Sequence, residues 1–116
     1  MHVAYIVVTV VTILANAAIV VADLARARFV LANGAEVGVP QWSIPGLAAL
    51  KAAGAAGLVL GLLGLDLIGI AAAAGLVAFF VGAVGLHLRT RVLHNIAFPG
   101  TYLALAVASL TLAAAQ

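Results

Sequence analysis

The sequence predicts an all-α fold: an integral-membrane four-helix bundle, up-down-up-down, with residues 1–116 forming a single transmembrane domain. Three observations predict it. Four long apolar runs, residues 3–22, 46–65, 67–86 and 96–115, fill almost the whole chain. Each is close to the ~20 residues that an α-helix needs to cross a hydrocarbon core of ~30 Å. Of the 116 residues 67% are hydrophobic and only 7% charged, whereas a water-soluble domain carries about 25% charged residues. The cations are also one-sided. Arg26, Arg28, Arg89 and Arg91 follow the first and third runs and Lys51 lies just inside the second, while the N-terminus, the 64–66 turn and the C-terminus carry none.

The first helix is expected over about residues 3–33. No Lys or Arg precedes its apolar run, so Ala15-Asn16-Ala17 reads as part of a span rather than as a signal-peptide cleavage site, which normally follows a positive n-region. Beyond the span, residues 23–33 hold no breaker before Gly34, and Asp23 and Arg26 have a spacing that allows a pair on one helix face. Residues 34–45, with Gly34, Gly38, Pro40 and Pro45, form the one true loop; Trp42 within it is expected at headgroup level. Ser43 and Pro45 read as cap and first turn of the second helix, residues 46–64. The connection to the third helix, residues 67–87, is so short that the two must be antiparallel neighbours, with Asp66 at the turn. The fourth helix is expected over residues 96–115, with Pro99 near its start. Positive loops stay inside, so both termini are expected outside a cell membrane and residues 23–45 and 88–95 in the cytoplasm.

Two kinds of stripe run along these helices. Gly54, Gly57, Gly61 and Gly64 fall within about 80° of arc at 100° per residue, and such small faces let helices approach closely in lipid. Ala71, Gly75, Ala78, Gly82 and Gly85 make a similar face on the third helix. The expected use is helix packing, within the bundle or between protomers; a groove for a lipophilic ligand is the alternative. Tyr5, Thr9, Thr12, Asn16 and Asp23 share a face of the first helix, and Asn95, Tyr102, Ser109 and Gln116 recur at sevens along the last. Polar groups facing lipid go unsatisfied, so these two faces should meet inside the bundle. They then make either interhelical hydrogen bonds, ~0.6 kcal/mol each, or a polar-lined cavity. Thr12, Asn16, Asn95 and Tyr102, with Trp42, are the ligand-binding candidates.

Few ionisable groups remain. Lys51 lies ~9 Å down a helix from Pro45, where a charge is costly and functional unless its stem snorkels to the interface. Asp23 or Glu36 is its expected partner. His87 ends the third helix on the same side, opposite the glycine stripe, and acts there as a proton-exchanging group or as a residue of the interface. His94 reads as a headgroup contact, and Arg89 and Arg91 as topology anchors. Asp23, Lys51 and His87 are the catalytic candidates, with Asn16 and Asn95 nearby. Among the excluded classes, five cations are too few for a nucleic-acid surface. The absence of cysteine removes disulfides, thiol chemistry and Cys-ligated metal, and His2, His87 and His94 lack ligand spacing, so no metal site is expected.

Residues 39–61, with Trp42, Lys51, Gly54 and Gly57, and residues 75–89, ending at His87 and Arg89, resemble the DoxX-like family of small four-helix membrane proteins. The likeness spans nearly the whole chain. It implies the four-helix fold and draws attention to Lys51, Gly54, Gly57 and His87. Its members are linked to thiosulfate:quinone oxidoreduction, to membrane redox complexes and, among eukaryotic relatives, to receptor assembly; here the lack of cysteine argues against thiol or thiosulfate chemistry in this chain.

The expected function is therefore to hold a lipophilic ligand, quinone- or lipid-like, or to serve as an accessory subunit of a membrane redox complex. Quinone is the cofactor this suggests. The alternative is a membrane-embedded enzyme doing acid–base chemistry on a lipophilic substrate, such as isomerisation or epoxide opening. A proton-coupled exporter would need a membrane-buried carboxylate in the first helix, where this chain has Asn16. The expected partners are the lipid bilayer and a second copy or another membrane subunit, since a lone bundle leaves glycine faces in lipid; nucleic acid is not one.

Overall fold

The computed structural model describes residues 2–116, which form five α-helices: α1 (His2–Leu24), α2 (Arg28–Glu36), α3 (Ile44–Leu62), α4 (Asp66–Arg89) and α5 (Ala97–Ala114), with a 3₁₀ turn, Gln41–Ser43, leading into α3. No strand occurs among the described residues. Four of the helices, α1, α3 with its leading turn, α4 and α5, are long and apolar enough to cross a membrane. The long axis of the bundle is 39 Å, close to the ~40–45 Å of a bilayer with its headgroups. α3 packs on α1 and α4, and α5 packs on the same two. The four spans therefore close a ring with α1 and α4 on the diagonal. The ends of the chain meet: His2 Nδ1 lies 3.3 Å from Gln116 Oε1.

The closest approach is between α3 and α4, and glycine makes it. A Cβ on Gly61 would sit 2.7 Å from the Cα of Gly69, one on Gly57 2.5 Å from the Cβ of Ala72, and one on Gly54 2.5 Å from Leu76. Gly64 does not belong to this stripe. It takes φ 107° in the turn, where Leu65 N–H closes on Leu60 O at 3.0 Å; a left-handed glycine just past a helix end satisfies the last carbonyls at no steric cost. Around the contact, Leu58, Ala73, Leu76, Phe80 and Ala106 form the buried core, with Tyr102 against it.

Two sequence expectations are corrected here. The first helix is not continuous over 3–33. It stops at Leu24, and Arg26 adopts φ 56° while Ala27 N–H bonds Ala22 O at 3.0 Å. A non-glycine residue in this conformation costs about 1–2 kcal/mol. The break lets α2 fold across the inner end of the bundle, and Arg26 is held there by Gln41 Oε1 at 2.9 Å rather than by Asp23. Gly34 accordingly lies inside α2, and the loop shrinks to residues 37–40. Ser43 bonds Pro40 O at 2.7 Å and makes no side-chain cap for α3, though Pro45 does lie in the first turn of that helix.

The small face of α4 is the second correction. The residues α4 buries are Gly69, Ala73, Leu76, Phe80 and His87; no atom lies within 4 Å of a Cβ built on Gly75, Gly82 or Gly85. Helical phase turns Gly75 and Gly85 away from the helices of the bundle, while Ala78 and Gly82 border a cavity at its inner end. The two glycine sets should therefore respond differently to substitution. Gly61→Ala forces backbone apart and should cost roughly 1–3 kcal/mol. Gly75→Ala should be neutral or stabilising, because alanine is the better helix former by about 1 kcal/mol. Equilibrium unfolding in mixed micelles measures both, and equal effects would refute the packing assigned to the pair.

Candidate functional site

The polar faces of α1 and α5 do meet. Thr9, Thr12, Asn16 and Ser109 are buried at the centre of the bundle. Thr12 Oγ1 donates to Val8 O at 2.8 Å and lies 2.7 Å from Ser109 Oγ; since the single Thr12 proton is committed to the carbonyl, Ser109 donates across the seam. Asn16 Nδ2 donates to Thr12 O at 3.0 Å, and Tyr102 Oη donates to Ala15 O at 2.8 Å. The seam is thus a set of interhelical contacts and not a cavity. Of the residues read from sequence as ligand-binding, Thr12 and Tyr102 bond across this seam, whereas Asn16 bonds within α1 and keeps a buried Oδ1 without a partner.

A cavity of about 480 Å³ opens instead at the end of the bundle that carries the arginines. Pockets of ~300–1,000 Å³ with apolar walls and a few polar groups are the usual form of a small-molecule site. Asp23 reaches it from the last turn of α1, Lys51 from two turns inside α3, and His87 from the last turn of α4. The three catalytic candidates therefore share one chamber. Phe29, Phe79, Phe80 and Phe98 line it as well, so every phenylalanine in the chain is on its wall.

Asp23 and Lys51 form its charged floor. Lys51 Nζ lies 2.5 Å from Asp23 Oδ2, with the two side chains 10% and 5% exposed. The contact has the distance of an ion pair without the angles of a directed hydrogen bond, as the carboxylate oxygen otherwise lacks a partner. The ammonium also stands 5.6 Å from the centre of the Phe79 ring, within cation–π range. Glu36, the other partner expected for Lys51, instead meets His94 Nε2 at 2.5 Å on the exposed rim. His87 Nδ1 lies 2.9 Å from Ala83 O. A carbonyl only accepts, so Nδ1 carries a proton; in the uncharged tautomer that satisfies this bond, Nε2 is the acceptor.

α2 roofs the chamber with Phe29, Val30 and Asn33. It is tied down by Asn95 Nδ2 donating to Asn33 Oδ1 at 2.9 Å and by Phe29 against Phe98, 6.0 Å between centroids. Asn95 lies before α5 rather than on it, and serves as this fastening. Trp42 is 83% exposed and stands clear of the cavity. The roof and the aromatic walls are what sequence reasoning missed. Their signal was present: Phe29, Phe79, Phe80 and Phe98 all fall near the arginine-bearing ends of their helices.

Four spanning helices around an internal ion pair define a small multi-pass membrane protein. Residues 7–109 match the family model described as the DoxX-like family, and the chain belongs to that family. No curated protein and no solved structure matches it.

The ion pair should behave as a unit. Lys51→Met leaves a carboxylate buried alone and Asp23→Asn an unmatched ammonium; each should cost about 3–5 kcal/mol. The double variant, Asp23→Leu with Lys51→Met, should recover most of that loss. A double-mutant cycle by unfolding in micelles checks this, and strictly additive losses would show that the two charges do not depend on each other.

Proposed function

We propose that this protein binds a lipophilic molecule by its polar head, in the chamber floored by Asp23 and Lys51 and roofed by α2. One observation carries this reading: an ion pair and a histidine are sequestered among four phenylalanines at the end of a membrane bundle. The pair is neutral overall, so the site favours an uncharged head over an anion. Lys51 has N–H groups beyond the one facing Asp23, suited to a carbonyl oxygen, and His87 Nε2 suits a hydroxyl. Flat aromatic walls suit a ring. A quinone or quinol has these features, and the same donor set accepts a carbonyl- or hydroxyl-bearing lipid. Such a protein fits the role of a membrane subunit that holds a quinone-like molecule for a larger redox complex.

Purification in mild detergent followed by lipid extraction and mass spectrometry tests the reading. A prenylated quinone or another carbonyl-bearing lipid should accompany the wild type in near-stoichiometric amount. It should fall at least about tenfold in Gly82→Leu, which fills the chamber from a position with free space around its Cβ and so leaves the fold intact; tenfold corresponds to about 1.4 kcal/mol. Equal recovery from the two proteins would overturn it.

A second reading is acid–base turnover of such a molecule, an isomerisation or an epoxide opening. The free Nε2 of His87 in the same chamber as the Lys51 ammonium favours it. The extracted lipid should then include a chemically altered species that disappears in His87→Ala; identical lipid profiles would exclude turnover.

We also place the chamber on the cytoplasmic side of the cell membrane, from the arginines around it. Alkaline phosphatase fused after Gln116 should be active, and fused after Arg91 inactive. The reverse pattern would invert the orientation.

A further inference from the structure

Alone among the α-helices, α2 buries none of its residues. Asp23 before it and Val37 after it are buried, and no residue between those two is. The backbone hydrogen bonds that leave α2 end on residues 27 and 37–39, its own connections. Those connections turn through left-handed residues, Arg26 at φ 56° and Gly38 at φ 81°. Nothing lies within 4 Å of a Cβ built on Gly38, so that end is not clamped. Side chains hold the helix down instead. Phe29, Asn33 and Glu36, at i, i+4 and i+7, share one face, and they meet Phe98, Asn95 and His94 in that order. These ties form a single seam along one edge, to one short segment. Beneath the helix lies the chamber.

We propose that α2 is a hinged lid, which swings about its two left-handed ends and admits the head of the ligand from the aqueous interface. This rests on the reading of the chamber given above and adds how the site is reached. A buried ion pair needs shelter, because water weakens the attraction between its charges. A polar head must nevertheless pass from the headgroup layer to Lys51. A roof fastened along one edge meets both needs. It closes over the pair, and it opens by parting the seam, with no buried residue of the helix to extract and no backbone hydrogen bond to break. Elements with few buried contacts open locally at a fraction of the cost of global unfolding. The polar ties are unequal. The bond between Asn33 and Asn95 is partly buried and is the main latch; the exposed pair of Glu36 and His94 contributes little.

The chain has no cysteine, so an introduced thiol is the sole target of a thiol reagent. Ile19 is buried and lines the chamber; Leu58 is buried in the core and does not line it. The probe is a trimethylammonium methanethiosulfonate, whose fixed charge keeps it out of hydrocarbon, applied in nanodiscs to Ile19→Cys and to Leu58→Cys. Its rate at Ile19→Cys reports the open fraction of the lid when closing is faster than reaction. Adding Asn95→Ala should raise that rate about fivefold, the worth of one net hydrogen bond. Adding His94→Ala should raise it about twofold or less. Neither should change the rate at Leu58→Cys. Ile44→Cys, at a second buried wall position, should repeat the pattern and guards against misfolding of the first. Rates at the two wall thiols that ignore Asn95→Ala overturn the lid. So does an equal rise at Leu58→Cys, which is general loosening of the bundle. So do wall thiols that react, without Asn95→Ala, as fast as the exposed Leu93→Cys, which is a chamber open without motion. Decyl-dimethoxy-methyl-benzoquinone, whose ring has no unsubstituted position for a thiol to add to, should slow labelling of Ile19→Cys at saturation. Failure of that protection alone counts against the chamber reading and is distinct from failure of the lid.

Discussion

The ion pair between Asp23 and Lys51 is the constraint around which the inner half of the molecule is arranged. Both groups are buried, and neither can stand alone at that depth. Their contact fixes the axial register of α1 against α3, because two turns of α3 must lie alongside the last turn of α1. It also requires α1 to end just beyond Asp23. A helix continued to residue 33 would run on along its axis and leave the pair open to headgroups and water. The left-handed turn at Arg26 diverts the chain across the bundle, and α2 closes over the charges.

A second constraint acts through the absence of side chains. α3 approaches α4 so closely that glycine backbones touch. In lipid this close contact replaces the hydrophobic drive that holds soluble bundles together. It also sets the phase of α4. With Gly69, Ala73 and Leu76 turned to α3 and the core, Phe80 and His87 follow into the interior, the glycines at 75 and 85 turn outward, and Gly82 comes to the edge of the chamber. One packing decision thus delivers the histidine to the chamber and leaves a furrow on the lipid face. The hydroxyl seam between α1 and α5 is a fastening on the other side of the ring, which reaches the chamber wall only through Tyr102 against Phe80 and Phe98.

Much of this was legible in the sequence. Four spans follow from run length alone, since lipid allows few alternatives to an apolar helix. The burial of Thr9, Thr12, Asn16 and Asp23 follows from their shared face, and the pairing of Lys51 from the cost of a lone charge. The break after Leu24 was not legible, because no glycine or proline marks it and the left-handed Arg26 is held by the bond from Ala27 N–H to Ala22 O and by the side-chain contact with Gln41. Nor was the outward turn of Gly75 and Gly85. A small face and a Phe80–His87 face are both compatible with the composition of α4, and only the meeting with α3 chooses between them.

The sequence by itself determined that this is a membrane bundle, that Lys51 would be driven to a carboxylate, and that its ionisable groups gather at one end, because the hydrocarbon core restricts where polar atoms can lie. The tertiary structure alone decided that Asp23, Lys51 and His87 share an aromatic chamber, that α2 covers it, and that Thr12, Ser109 and Tyr102 fasten α1 to α5. Those outcomes depend on helix phase and on a turn without a local signal, both of which are set when whole helices pack against one another.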